Sequence, residues 1–289
     1  YLNLLADDAL LAVTRQTLVT REESTRLTKL RFDNGATSEL DFRQAESLLE
    51  GARVALAQSL RQRALDENAL TLLVGQPLPV DLPGPLPLDA QQLPIDVPAG
   101  LPSDLLVRRP DVRSAEQQLF AANANIGAAR AAFFPRISLT ANLGTASTQL
   151  SGLFKSGSFA LTGAGTLLQP IFDAGRNRAN LDVAKVNRDI AVAQYEKSIQ
   201  SAFRDVADAL AGRATLTEQL RAQRAQADAE GIRFKLSDLR YRNGIASALD
   251  LLDAQRSQFA AQQATVQVHL LQLQNQVVLY KALGGGWKE

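Results

Sequence analysis

The chain has 289 residues, of which 31 are basic and 30 acidic, and its net charge of +1 gives no indication of a nucleic-acid partner. Only 6% of the residues are aromatic, and cysteine is absent. Alanine, leucine, glutamine and arginine dominate the long segments, which favours long helices packed through small residues over a thick globular core.

Two helices are predicted at the start of the chain. The first runs from residue 1 to about residue 32, and the second from about residue 38 to residue 74, with Gly75 as its stop. Much of the stripe on the second helix is alanine, so the two helices are expected to approach closely. Its predicted apolar side carries Leu40, Leu48, Leu56, Leu60, Leu70 and Leu73.

The turn between these helices belongs to a repeat. Residues 30–41 recur as residues 239–250, at an offset of 209 residues and without a gap. Each copy has an Asn-Gly pair where a helix must stop, because glycine accepts the left-handed conformation, and then a serine that can cap the next helix. These residues are Asn34, Gly35 and Ser38 in the first copy and Asn243, Gly244 and Ser247 in the second. The repeat predicts one helical hairpin built twice around an axis.

A proline-rich segment, residues 76–102, follows the first hairpin and holds eight of the eleven prolines. Repeated proline disfavours helix, so the segment is either a linker or an extended belt wrapped on the helices. Interleaved apolar residues favour the belt: Leu82, Leu86, Leu88, Leu93 and Val97. Ser103 is then expected to cap a short helix, and Pro110 to open another that ends near residue 132.

The period changes to that of β-strands after this helix. Residues 136–144 and 158–168 alternate apolar with small polar side chains, and the residues between them form a loop. Each run has the length of a tilted membrane strand, and Phe133, Phe134 and Phe172 near the ends fit an aromatic girdle. The alternation alone leaves open a membrane barrel or an ordinary hairpin on a helical core. The expected membrane-facing residues are Ile137, Leu139, Leu143, Phe159 and Leu161.

The remainder is predicted to be a second long hairpin, helical from about residue 173 to 241 and again from about 247 to 283. The predicted segments are therefore hairpin 1–75, proline-rich 76–109, helix 110–135, strand pair 136–171, hairpin 172–284 and tail 285–289. No apolar run is long enough for a membrane helix. Because residue 1 already lies within a helical pattern and no signal peptide precedes it, we expect the parent protein to begin further upstream.

Three long motifs resemble the outer-membrane factor family, the TolC-like exit ducts of tripartite efflux pumps, and most closely its OprM branch. They are residues 100–112, residues 121–140, and residues 254–257 with 279–287. The resemblance implies a mainly α fold with a transmembrane β-barrel part, in which a homotrimer forms one 12-stranded barrel in the outer membrane. It also implies a periplasmic α-barrel tunnel that a periplasmic adaptor protein joins to an inner-membrane transporter. Family members carry two strand pairs, whereas this chain has one, so the missing N-terminal half is expected to hold the other.

Asp250 and Asp253 are candidate gate residues. They lie three residues apart just past the second Asn-Gly tip and share a helix face, so a trimer with that face inward would form rings of carboxylates that attract cations. The alternative is that they only cap and solvate the helix. The resemblance adds Leu249 and Tyr241 to the gate and implies that the adaptor docks near the tips, at Asn34, Gly35, Asn243 and Gly244. The first repeat has Leu40 and Asp41 but Gln44 opposite Asp253, so its tip should carry less charge.

Catalysis has little support in the sequence. The one histidine, His269, lies in an apolar helical run and is interpreted as a packing or surface residue, and no cluster could hold a metal. We therefore expect no enzyme activity and no cofactor. The function that the resemblance implies is passive export of small molecules such as drugs; the alternatives are a soluble coiled-coil scaffold and a duct for type I protein secretion.

Overall fold

The computed structural model describes residues 1–77, 79, 86–91 and 109–285. The chain forms two compact units, the first made of Tyr1–Gly100 with Asp205–Gly286 and the second of Leu101–Arg204 with Trp287–Glu289.

The first unit begins with helices α1, Leu2–Asp33, and α2, Glu39–Val74, as predicted. The predicted packing side of α2 is only partly right, because Leu40, Leu60 and Leu73 are exposed. Small side chains make the close contact instead, and polar groups cross it: the Thr25 hydroxyl donates to the Ala45 carbonyl at 3.1 Å. The buried residues of α2 are Ala45, Leu49 and Ala52. The exposed leucines therefore lie on a face that none of the described residues covers.

The second hairpin consists of α4, Arg176–Arg242, and α5, Ala248–Ala282. With 67 residues, α4 is on the order of 100 Å long. It continues through Gly212, where an added Cβ would lie 2.4 Å from the side-chain oxygen of Asn275. The glycine lets Asn275 reach the helix backbone, since its amide donates to the Ala209 carbonyl at 2.9 Å.

The described part of the proline-rich segment contains a short 3-10 helix, Leu88–Ala90. Leu88 is only 5% exposed and packs against Leu5, Ala6 and Leu273. The belt prediction is therefore confirmed for Leu88, whereas Leu86 is exposed. Other residues named for the belt and the short helix lie outside the described residues: Leu82, Leu93, Val97 and Ser103.

The second unit contains α3, Pro110–Ala131, which begins at the predicted proline. Arg109 just before it is buried, and its guanidinium donates to both carboxylate oxygens of Asp111, at 3.0 and 2.6 Å. It also donates to the Ala202 carbonyl of α4 at 3.4 Å. The start of α3 is thereby attached to α4.

Strands β1, Arg136–Thr145, and β2, Phe159–Leu168, form an antiparallel pair in the same unit. Directly paired residues lie on the same face of a sheet. One face is apolar, with Ile137 opposite Leu167, Leu143 opposite Leu161 and Thr145 opposite Phe159. The other is small and polar, with Ser138 opposite Thr166, Thr140 opposite Ala164 and Asn142 opposite Thr162. The alternation read from the sequence is therefore confirmed.

A buried carboxylate in the first unit was not recognised in the sequence. Asp7 of α1 is 7% exposed, and its Oδ2 has no hydrogen-bond partner among the described residues. Burial raises the pKa of Asp7 to about 7, and the carboxyl of Asp66 on α2 adds to the rise. Arg63 opposes it only weakly, because its guanidinium is bonded to Asp8 at 2.7 Å and to Glu67 at 2.8 Å.

Replacing Gly244 by Ala should destabilise the second hairpin. Its φ of +72° is unfavourable for any side chain, so the free energy of unfolding should fall by roughly 1–2 kcal/mol. Gly51→Ala is the matched control, because Gly51 lies inside α2 and an added Cβ would meet no atom within 4 Å. The control should stabilise by roughly 0.5–1 kcal/mol. Denaturant unfolding measures both, and equal effects of the two changes would contradict the explanation.

Asp7→Asn should alter the pH dependence of stability. The folded state holds a proton on Asp7 between the ordinary pKa of 3.8 and about 7, so this group makes stability fall as pH rises through that window. The variant should be more stable than the wild type above pH ~7, and its stability should fall less as the pH rises through that window. Thermal unfolding at several pH values measures this. Asp33→Asn, an exposed acid paired with Lys29, is the control and should leave the slope unchanged.

Candidate functional site

The two hairpin tips have the same construction. Gly35 and Gly244 adopt φ of +70° and +72°. The preceding asparagines close the helices, since the amides of Asn34 and Asn243 each donate to the carbonyl four residues earlier at 2.7 Å. The predicted helix stops are confirmed in both repeats.

Asp250 is bonded within its own helix end. The Ser247 hydroxyl accepts from the Asp250 backbone amide at 3.2 Å, while the Asp250 carboxylate accepts from the Ser247 hydroxyl at 2.8 Å. Ser38 and Asp41 make the same capping box in the first repeat. The hydrogen bond from Ser247 is the largest cause that lowers the pKa of Asp250 below its ordinary value. Asp250 therefore stabilises the second helix as an ionised cap residue.

Asp253 instead links two helices. Its carboxylate pairs with the guanidinium of Arg233 on α4, and Arg256 lies 3.8 Å away on α5. The bond to Asp253 is the largest cause that raises the pKa of Arg233. In the first repeat the equivalent pair is Ser24 and Gln44, which carry no charge. The second tip thus has an ionic link across its helices that the first tip lacks.

The sequence positions of Arg233 and Asp253 contain a signal for this pair that helical periodicity alone does not reveal. Arg233 lies ten residues before Asn243 and Asp253 ten residues after it. An antiparallel helical hairpin that turns at Asn243 brings positions at equal distances from the turn side by side.

Leu249 lies on the outside of the tip. Its side chain is exposed, as is that of its counterpart Leu40. Leu249 and Leu252 line one wall of a groove of about 450 Å³ between α5 and α2. The groove also contains two cationic side chains, and its other lining residues are Arg43, Gln44, Ser47, Leu48, Gly51 and Arg256.

Tyr241 is buried between the two hairpins. It is 5% exposed, packs with Ala248 and Leu251, and lies under the guanidinium of Arg31, which is 4.4 Å from the ring centre. Its hydroxyl has no hydrogen-bond partner among the described residues. The contact of Tyr241 with α1 is a cation–π interaction.

The strand pair exposes both of its faces. On the apolar face, Ile137 is 79% and Leu139 82% exposed, and Leu143, Phe159 and Leu161 are exposed as well. No described residue buries these side chains, which disfavours the alternative of a hairpin resting on a helical core. The polar face is likewise exposed.

Aromatic side chains lie at both ends of the strands. Phe133, Phe134 and Phe172, predicted as a girdle, are exposed at the helix-to-strand joint. The loop end adds one exposed aromatic side chain, Phe154, beside the exposed aliphatic Leu150. Two side-chain amides hold the joint together, from Gln169 to the Phe133 carbonyl and from Asn177 to the Ala132 carbonyl, both at 3.1 Å.

His269 is a packing residue, as interpreted from the sequence. It is buried, and its Nδ1 lies 3.0 Å from the Asp89 carboxylate, which Arg224 also contacts at 3.0 Å. Burial is the main cause that lowers the pKa of His269, although Asp89 opposes it. The three residues attach the 3-10 helix of the proline-rich segment to α4 and α5.

Membrane-spanning helices and metal-binding clusters are both absent from the described part of the chain. No helix in these ranges is long and apolar enough to cross a membrane. No group of three or more acidic or histidine side chains there could hold a metal ion.

Comparison with known proteins places this geometry in context. The solvent efflux pump outer membrane protein SrpC of Pseudomonas putida is 53% identical over 281 residues, 97% of this chain and 60% of SrpC. The outer membrane protein OprJ of Pseudomonas aeruginosa is 47% identical over 284 residues, 96% of this chain and 58% of OprJ. The chain thus spans about three fifths of the length of these curated relatives.

Two solved structures have a fold similar to that of this chain. The open state of the MtrE outer membrane channel of Neisseria gonorrhoeae superposes with a TM-score of 0.77 at 44% identity, covering 100% of this chain and 65% of that channel. A membrane protein from Pseudomonas aeruginosa gives 0.79 at 46% identity, covering 99% and 64%. Residues 1–76 and 101–285 match the profile described as outer membrane efflux protein. The chain therefore belongs to the outer membrane efflux protein family.

Proposed function

We propose that this chain is part of an outer-membrane exit duct that passively conducts small molecules from the periplasm to the exterior. The observation that carries the proposal is the strand pair, which exposes an apolar face and a small polar face at the same time. Such a pair fits a barrel wall between lipid and water. The relatives named for solvent, toluene and antibiotic efflux support small molecules as cargo over secreted proteins, and no enzyme activity is proposed.

The strand pair also supports assembly. β1 pairs only with β2 in the described residues, so each strand has an edge whose backbone groups require a neighbour within a membrane. Three copies would supply six strands. A homotrimer whose remaining strands come from the further length of the protein would close one 12-stranded barrel in the outer membrane, with the long helices forming a periplasmic tunnel.

The rigid tips support docking by other pump components. Both Asn-Gly turns end in a capping box, so the groups at Asn34, Gly35, Asn243 and Gly244 are fixed in place. We propose that the helical hairpin of a periplasmic adaptor binds beside these tips and connects the duct to an inner-membrane transporter of the RND type.

Leu249, Asp250, Asp253 and Tyr241 form the proposed gate, with different roles. Asp253 holds α5 to α4 through Arg233, and Tyr241 holds the second hairpin against Arg31 of the first. Leu249 is exposed and would meet a neighbouring copy or the bore. Asp250 stabilises the start of α5, which carries Leu249 and Asp253. Opening would be a hinge motion that separates these tips.

A charge placed on the apolar face tests the barrel. Leu139→Arg should lower the amount of protein in the outer-membrane fraction, because an arginine facing lipid near mid-bilayer costs about 2–4 kcal/mol. Thr140→Arg, one residue away on the polar face, is the matched control and should still insert. Fractionation of cells with and without detergent measures both. A soluble coiled-coil scaffold would show no difference between the two variants and would extract without detergent.

Asp253→Ala should raise single-channel conductance in planar bilayers, because it removes both the ionic link to α4 and a carboxylate near the tip. Gln44→Ala, at the equivalent place in the first repeat, is the control and should leave the conductance unchanged. Arg233→Ala distinguishes the two causes: it should raise conductance if the link closes the gate, and should not if the ring of carboxylates does. Unchanged conductance of the Asp253 variant would remove it from the gate.

A further inference from the structure

One charged residue stands on the strand pair. Across the twenty residues of β1 and β2, Arg136 is the only side chain that carries a charge. It is the first residue of β1 and is paired with Leu168 of β2. Along β1 it is followed at two-residue intervals by Ser138, Thr140 and Asn142. Side chains two residues apart share a face, so Arg136 lies on the polar face and not on the apolar one.

Nothing in the described residues neutralises this guanidinium. Arg136 is exposed and makes no ion pair there, and neither strand contains a carboxylate. The acidic residue in the helix-to-strand joint is Asp173, whose carboxylate accepts from the backbone amides of Gly175 at 3.0 Å and Asn177 at 2.9 Å. An arginine stays charged at every physiological pH, so this positive charge is permanent.

The rest of the joint adds to the positive charge. Asn177 bonds to the Ala132 carbonyl, so Arg176 and Arg178 on either side of it lie near the end of α3, which carries Arg130 in its last turn. These three arginines are exposed and make no ion pair in the described residues. The joint thus combines four arginines with one aspartate. The potential at this end of the strand wall is positive whichever side each helical arginine faces.

We propose that Arg136 forms a ring of positive charge at the helix-side mouth of the barrel and makes this part of the passage selective for anions over cations. The proposal rests on the proposed function, since the polar face lines a bore only if the strands form a barrel. Anionic solutes would be concentrated at this level, whereas the polar face beyond it, which carries no charged side chain, would not distinguish charge.

The effect should depend on salt. A bore that passes small molecules in bulk solvent is wide, and three guanidinium groups influence ions at its centre only when the Debye length is comparable with its radius. That length is about 10 Å at 0.1 M salt and about 30 Å at 0.01 M. Selectivity should therefore be weak at high salt and strong at low salt. A constriction that selects ions by direct contact would retain its selectivity in both.

Reversal potentials of single channels in a KCl gradient at low salt test the inference. Arg136→Gln should lower the chloride-to-potassium permeability ratio about two-fold, and Arg136→Glu should lower it further. Arg136→Lys keeps the charge and should match the wild type. Lys155→Gln, which removes an exposed charge from the loop at the other end of the strands, is the control and should have a smaller effect than Arg136→Gln.

The outcomes separate the inference from the proposed function. Channels of normal conductance whose permeability ratio is the same in the wild type and in Arg136→Gln would overturn the selectivity role and leave the duct intact. An equal change in Lys155→Gln would overturn it as well, because the charge would then act without regard to position. A wild-type protein that forms no channels would instead overturn the proposed function. If Arg136→Glu fails to insert, the Gln and Lys variants decide.

Discussion

The structure depends on how its long helices end. An α-helix leaves four backbone amides unbonded at its start, and a hairpin whose arms run for more than thirty residues cannot leave its turn undefined. Each tip solves this with a glycine at positive φ followed by a serine–aspartate capping box. Asp41 and Asp250 are thereby committed to the backbone. This commitment decides which acidic residue at the tip remains available for another role.

The asymmetry between the repeats follows from that commitment. With Asp41 and Asp250 equivalent, one charged difference between the ascending helices lies three residues further on, where the first repeat has Gln44 and the second has Asp253. At the level of Asp253, only the second hairpin has an ionic link between its two helices. The second hairpin also buries an aromatic residue near its tip, Tyr241, under the guanidinium of Arg31 in the first hairpin. The second hairpin therefore depends on breakable polar contacts near its tip. The first tip uses a stacked pair of rings, Phe32 and Phe42, 5.7 Å apart.

Features encoded by local sequence could be predicted, and features that depend on neighbours could not. Gly35, Gly244 and Pro110 act within one turn of chain, and their positions were correct to the residue. The leucines on α2 were assigned to a buried side because periodicity shows that a face is apolar but not what covers it. Asp7 and Arg233 were missed because their partners lie on another helix. The pair of Arg233 and Asp253 could have been predicted, because both residues lie ten positions from Asn243.

The exposed surfaces of the chain support one another as an argument for assembly. A two-stranded sheet with both faces exposed is marginal at best in water, and its unpaired edges invite pairing with other strands. Exposed leucines on α2, such as Leu72 and Leu73, would be equally unfavourable on a solitary helix. If the protein were a soluble scaffold, each of these exposed surfaces would need a separate explanation. In the proposed trimer, neighbouring copies would cover the helices, lipid would cover the apolar strand face, and water would contact the polar face, so a single arrangement would account for all three surfaces.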